Sequence, residues 1–246
     1  MIDAHAHLDS VDGEPAAVVA RAAERGVEGI VSIGAGLESS RATIAIAAAN
    51  ETVWATVGID PHRAGDGDDP GELVALVREP KVVAVGETGL DYHYGADRKA
   101  EQRALFEAQL ALAADAGLPV VIHCREAVAD TADVLAPFRG TVVLHCFSEP
   151  ELLPVALERG YYVSFAGNVT YNRAGDLRTA ARTVSAERLL VETDSPYLAP
   201  QPVRGRPNEP ANLVHTVALL AEVRGEDAGP LGRQTAENAR AAFHLP

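Results

Sequence analysis

Val82-Val83-Ala84-Val85-Gly86-Glu87, Val120-Val121-Ile122-His123 and Val142-Val143-Leu144-His145 share one pattern. Each is a short apolar, β-branched run that leads to a residue able to hold a divalent cation. The chain opens the same way, in Ile2-Asp3-Ala4-His5-Ala6-His7, and Leu189-Leu190-Val191-Glu192 leads likewise to Asp194. Short runs of Val and Ile without polar alternation mark parallel strands buried on both faces. In α/β barrels the catalytic groups sit at the C-terminal strand ends. His5, His7, Glu87, His123, His145 and Asp194 therefore fall where a closed α/β barrel brings side chains together, and the pattern points to metal-dependent hydrolysis.

Strand-like and helix-like stretches alternate outward from these runs. The expected strands are Met1–Ala4, Gly29–Ile33, Val53–Val57, Val82–Val85, Pro119–Ile122, Thr141–Leu144, Tyr161–Phe165 and Arg188–Glu192. Between them Pro15–Arg25, Ser39–Ala49, Gly71–Arg78, Asp97–Ala116, Ala127–Leu135, Pro150–Glu158 and Arg173–Thr183 are helical by spacing or composition, and Asn208–Val223 and Gly229–Ala242 add two helices. Eight strands, each followed by a helix, match a (β/α)8 barrel of the TIM type. A doubly wound open sheet is the rival. It separates the first and last strands, whereas the ligand-type residues run from the first strand to the eighth, which favours closure. No internal repeat, linker or low-complexity tract interrupts the chain, so residues 1–246 read as a single domain.

Composition narrows the function classes. A length of 246 residues with 47% hydrophobic content suits one barrel with a large core. No run of eighteen apolar residues is present, so no membrane helix is expected. The N-terminus opens on a strand, not on a basic and apolar leader, and a cytoplasmic protein is the expectation. Two cysteines do not make a disulfide scaffold. A net charge of −14 argues against a protein that coats nucleic acid, which needs a basic surface. It leaves room for one phosphate gripped by cations and a few local arginines.

The individual residues carry the chemistry. His5 and His7, two apart in a strand, point to the same side and can grip one cation; the alternative is an exposed or otherwise satisfied pair. Glu87 follows an apolar strand, where an unpaired charge is costly. Its two oxygens can bridge two cations, as in sites that clamp attacking and leaving oxygens; an internal salt bridge is the alternative. Alternation turns Cys124 and Cys146 away from His123 and His145, toward the helix layer, as small buried hydrophobes. Asp194 can ligate a cation and take a proton from the attacking water, with Glu192 as a supporting partner; a turn role is the alternative. Arg125, Arg204 and His62 are candidate phosphate donors, while Arg206 reads as a solvated residue.

Several longer stretches give the chain a family likeness. These are Asp3-Ala4-His5-Ala6-His7-Leu8-Asp9, Gly86-Glu87-Thr88-Gly89-Leu90-Asp91-Tyr92, Ile122-His123-Cys124-Arg125-Glu126-Ala127, His145-Cys146-Phe147-Ser148, Glu192-Thr193-Asp194-Ser195-Pro196-Tyr197-Leu198 and Pro202-Val203-Arg204-Gly205-Arg206-Pro207-Asn208-Glu209-Pro210. In this order they resemble the TatD family of metal-dependent hydrolases, among the amidohydrolase-like barrels, over nearly the whole length. The resemblance implies phosphodiester hydrolysis, typically as a 3′→5′ exodeoxyribonuclease. It implies the metal set His5, His7, Glu87, His123, His145 and Asp194.

On that reading His5, His7 and Asp194 hold one divalent ion, His123 and His145 a second, and Glu87 bridges. Asp194 is the general base, and Arg125 and Arg204 steady phosphate charge. The donors suit Zn, Mn or Ni, with Mg able to serve in assays. The expected partner is a nucleic-acid strand end, with no membrane and no obligate protein partner. Two positions depart from the family pattern: Asp60, where His is usual, and Glu149, where Gly is commoner. Two other readings stay open. One is hydrolysis of the ester in D-aminoacyl-tRNA, and the other is a metal-binding barrel without turnover. Related barrels that bridge their metals with a carbamylated lysine are disfavoured, because Lys81 and Lys99 are the only lysines and neither ends a strand.

Overall fold

Valine- and isoleucine-rich runs at the expected places form eight parallel strands in the computed structural model, which describes residues 1–246. They are β1 (Ile2–Ala6), β2 (Gly29–Ser32), β3 (Val53–Val57), β4 (Val82–Asp91), β5 (Val120–Arg125), β6 (Val142–Leu144), β7 (Tyr162–Phe165) and β8 (Leu189–Val191). The sheet order follows the chain from β1 to β8. The two end strands meet beyond the regular ladders, where Ala6 bridges Ser195 in parallel. The Asp194 amide donates to the His5 carbonyl at 2.9 Å and the His7 amide to the Ser195 carbonyl at 2.8 Å. Buried Asp3 accepts from the Thr193 amide at 2.9 Å and its hydroxyl at 2.6 Å. These bonds join β1 to β8 and set aside the open doubly wound sheet. No helix is long and apolar enough to cross a membrane.

The helices are α1 (Pro15–Glu24), α2 (Leu37–Ala49), α3 (Leu73–Leu76), α4 (Lys99–Ala116), α5 (Val128–Leu135), α6 (Leu153–Arg159), α7 (Gly175–Thr183), α8 (Leu213–Arg224) and α9 (Ala228–Phe243). α3 is only one turn long, because Pro70–Glu72 before it is wound as a 3-10 turn capped by the Asp69 side chain. Strand alternation sorts the core into two groups. Val120, Ile122 and Val142 pack with helix residues such as Phe106 and Leu220. Val121, Val143 and Leu190 pack with one another and with Ala239 and Phe243 of α9. His123 and His145 continue the second series by steps of two, so the alternation that builds the core also aims both imidazoles.

β4 departs most from expectation. The sequence places its end at Val85, yet the strand continues through Gly86 and Gly89 to Asp91. Val85 pairs with Val120 and Thr88 with Ile122, so β4 holds one extra residue there, a β-bulge around Glu87. Gly86 and Gly89 look like breakers in isolation. Their backbone φ angles of 146° and 138° are open to glycine and strained for other residues. A Cβ at Gly86 would lie 2.7 Å from the Val121 carbonyl oxygen, and one at Gly89 would collide with the His123 carbonyl. The glycines let β4 run against β5 while the bulge presents Glu87.

Gly89→Ala should therefore destabilise the fold by at least about 1–3 kcal/mol from backbone strain alone. Urea unfolding of the variant beside the parent chain measures this, and equal midpoints would show that β4 accepts a side chain there.

Candidate metal centre

Four donor atoms converge where β1 and β8 end and where β4 bulges. The Nε2 atoms of His5 and His7 are 3.3 Å apart. Glu87 Oε2 lies 3.5 Å from His5 Nε2 and 3.6 Å from His7 Nε2. Asp194 Oδ1 lies 3.6 Å and 3.5 Å from the same two atoms. Hydrogen bonds between nitrogen and oxygen are shorter, about 2.7–3.2 Å. Donors around one cation held at about 2.1 Å stand about 3.4 Å apart in a tetrahedral arrangement. The spacing and the imidazole–carboxylate chemistry both fit a divalent cation.

The other Glu87 oxygen serves a second group. Oε1 lies 2.9 Å from His123 Nδ1 and 2.9 Å from His145 Nε2, and those nitrogens are 3.3 Å apart. The ring of His145 stacks on His5 at 3.9 Å, which ties the two groups into one cluster. All six ligand-type residues singled out in the sequence are thus brought together, and all except the half-buried His123 are buried.

Two further carboxylates fix the outer imidazoles. Asp91 Oδ2 lies 3.0 Å from His123 Nε2, and Glu192 Oε1 lies 3.3 Å from His145 Nδ1. In each pair the imidazole N–H donates outward, which leaves the inner nitrogen as a lone-pair donor. This is the usual support for a ligating histidine. Glu192 is in the role its sequence position suggests. Asp91 lies outside the sequence-derived set, although Glu87, Gly89 and Asp91 share the period of two that puts alternate strand residues on one side.

Electrostatics reflect this crowding. Burial pushes the Glu87 carboxyl up, but charge on His145 and hydrogen bonds from His123, His145 and His5 hold it well below the ordinary carboxylate range. Burial opposes charge on His123, yet Asp91 and Glu87 raise it to about 9. His145 is raised well above the ordinary range by Glu87 and Glu192 against the same burial. His5 is lowered by burial and by His145, which favours its neutral, ligating form. Burial and hydrogen bonding pull Asp194 in opposite directions; His7, His5 and His145 prevail and lower it.

An 810 Å³ cavity opens over the cluster. His62 and Arg125 line it, but Arg204 does not; its guanidinium lies 4.0 Å over the Tyr171 ring. The structure thus places Arg204 against Tyr171, apart from the residues that line the cavity. Arg206 is exposed, as expected. His62 is held between carboxylates, with Nε2 3.1 Å from Asp91 Oδ2 and Nδ1 3.6 Å from Asp60 Oδ1. Asp60 thus braces His62, and its carboxylate also caps the turn at the Arg63 amide. Glu149 accepts from the Glu126 amide at 2.7 Å.

The placement of Cys146 is corrected. β6 ends at Leu144, and Cys146 takes a positive φ of 42°, so strand alternation no longer governs its direction. It lines the cavity beside Asn168, whose amide nitrogen is 3.7 Å from Sγ. Cys124 stays within β5, at the cavity edge, and packs against the outer core as expected. Burial pushes its thiol up to about 11. Neither lysine lines the cavity; Lys81 Nζ binds three backbone carbonyls and Lys99 sits over Tyr92.

Comparison with known proteins shows the family. The family described as "TatD related DNase" matches residues 2–244. The metal-dependent hydrolase YcfH of Escherichia coli K12 is 37% identical over 254 aligned residues, covering 100% of this chain and 96% of that protein. The 3′-5′ ssDNA/RNA exonuclease TatD of Erwinia tasmaniensis is 39% identical, with 93% of each chain covered. The crystal structure of the E. coli K12 TatD homologue YJJV superposes with a TM-score of 0.93 at 30% identity, covering 100% of this chain and 98% of that one.

Asp91→Asn should weaken the cation affinity of the His123–His145 group by about 10–100-fold, the usual cost of losing a carboxylate behind a ligating histidine. The His5–His7–Asp194 group should keep its affinity. Stepwise metal titration by calorimetry reads both, and an unchanged pair of affinities would remove Asp91 from the supporting role.

Proposed function

The chain belongs to the TatD related DNase family and is a metal-dependent hydrolase, and we propose that it cleaves phosphodiester bonds at the 3′ end of single-stranded nucleic acid using two divalent cations bridged by Glu87. One observation carries the two-cation reading. Glu87 Oε2 faces His5 and His7 at 3.5–3.6 Å while Oε1 faces His123 and His145 at 2.9 Å. The exonuclease relative from Erwinia supports the choice of substrate and polarity.

When bound, the cations supply positive charge to the phosphoryl oxygens and lower the pKa of the attacking water. His5, His7 and Asp194 would hold one, and His123 and His145 the other. Both Glu87 oxygens face imidazoles, whereas only Oδ1 of Asp194 does. Oδ2 is the carboxylate oxygen left to take the proton from water. Arg125 reaches the cavity with no carboxylate partner; its guanidinium lies 4.7 Å over the Tyr94 ring, which leaves its N–H edge for a non-bridging phosphate oxygen and the opposite face of Tyr94 for a base.

Aromatic groups supply the remaining grip. Only four large hydrophobic side chains of the protein are exposed, and two of them, Tyr94 and Tyr197, line this cavity. Unpaired bases stack on such rings whatever their sequence. A duplex end keeps its bases stacked inside, so this arrangement selects single strands.

Glu87→Ala should lower turnover of a single-stranded oligonucleotide at least about a hundredfold, the scale for losing a major electrostatic stabiliser. Bound metal should fall while the circular dichroism spectrum persists. Native turnover at full metal occupancy would sink the bridging role. Release of mononucleotides from a 3′-end-labelled strand, with a closed circle left intact, checks the polarity; nicking of the circle would contradict a strand-end enzyme.

Tyr94→Ala should raise KM for the oligonucleotide about 5–150-fold with little change in kcat, as expected for a stacked base worth about 1–3 kcal/mol. Tyr94→Phe should restore KM. The same KM for the alanine variant and the parent chain would show that Tyr94 touches no base.

A further inference from the structure

A second cavity, of 470 Å³, lies at the other end of the barrel. Pro119, Thr141, Tyr161 and Arg188 line it, and each immediately precedes one of the strands β5 to β8. Arg139, Arg159 and His244 complete a basic lining. No aspartate or glutamate lines it, although the chain carries a net charge of −14.

The arginines are only partly committed. Arg139 Nη1 donates to the Ala136 and Phe138 carbonyls, and Arg159 Nη1 to the Leu135 carbonyl and the Tyr161 hydroxyl. Their other nitrogens have no partner. The Arg188 guanidinium makes no hydrogen bond; it lies 4.7 Å over the Tyr162 ring, which fixes the plane and leaves the N–H edge free. None of the three reaches a carboxylate, whereas seven other arginines of the chain do. Capping of carbonyls accounts for one nitrogen each of Arg139 and Arg159, and for nothing at Arg188. Each guanidinium has five N–H donors, so most of the donor capacity here is unused.

We propose that this basal cavity binds a phosphate-bearing small anion, with Arg188 as its preset anchor and Arg139 and Arg159 at the exposed mouth. Guanidinium forks match phosphate oxygens in pairs and stay charged at all physiological pH. The volume falls within the range of small-molecule sites, about 300–1,000 Å³. It admits either a bare phosphate or a nucleoside monophosphate. The site is separate from the catalytic end, so ligand there leaves the metal cluster untouched.

The test uses the metal-loaded full chain titrated calorimetrically with inorganic phosphate and, separately, with deoxyadenosine 5′-monophosphate. Both ligands also reach the catalytic end, in every variant alike, so the comparison with Arg139→Gln/Arg188→Gln isolates the basal cavity. The parent chain should show a binding component that the double variant weakens at least tenfold, with hydrolysis of a generic phosphodiester unchanged within twofold. A tenfold preference for the nucleotide would identify the organic part as bound; equal affinities would identify phosphate alone. Identical isotherms for parent and variant would overturn the proposal. A second readout needs no variant: phosphate should slow phenylglyoxal modification of Arg188, followed by peptide mass spectrometry, at least threefold relative to exposed Arg206. Equal rates at both arginines would overturn it as well.

Discussion

Glu87 holds one carboxylate oxygen against each of two imidazole pairs, and the rest of the catalytic end is arranged to make that possible. Four imidazoles and four carboxylates share a largely buried space there, counting Asp91, Glu192, Glu87 and Asp194. Burying charge is expensive unless it is paired or coordinates a metal. In the absence of a cation, the raised affinity of His123 and His145 for protons balances the carboxylates. These residues would exchange those protons for the fixed charge of a divalent ion, which would couple metal binding to neutralisation of the cluster.

The bulge in β4 and the seam between β1 and β8 are the structural means to this end. The extra residue in β4 delivers Glu87, and Gly86 and Gly89 allow the neighbouring backbone to stay close. At the seam, Asp3 receives both Thr193 groups, and burial pushes its carboxyl up to about 7. That contact locks β8 beside β1 and so sets Asp194 opposite His5 and His7.

The sequence alone was enough for the barrel and the six ligand-type residues because each ligand follows a short apolar run, and such runs report strands without tertiary information. Asp91 was hidden by the opposite effect. Its strand crosses two glycines that read as a stop, and only pairing with β5 carries the ladder past them. Alternation does not reach Cys146, which lies two residues beyond the end of β6, in a turn of positive φ. A motif places Arg204 along the chain but does not reveal that its guanidinium lies over the face of Tyr171. Long, flexible side chains are settled by their neighbours, whereas strand residues are settled by the backbone.

Charge is partitioned along the barrel axis, and this resolves the tension between an acidic protein and an anionic substrate. Seven arginines are spent on carboxylates, whereas Arg125 lines the catalytic cavity with no carboxylate partner, its guanidinium over the Tyr94 ring, in a lining that also holds Asp9 and Asp60. Such a wall cannot follow a long phosphate backbone, because affinity for an extended strand grows with the number of phosphates neutralised. On the proposed reading it would hold one reacting phosphate through bound cations and one neighbouring phosphate through Arg125, with the flanking bases on Tyr94 and Tyr197. Recognition is then concentrated at the terminal nucleotides, and the acidic remainder of the surface repels whatever lies beyond them. These are the conditions under which the proposed strand-end substrate would be preferred to the interior of a duplex.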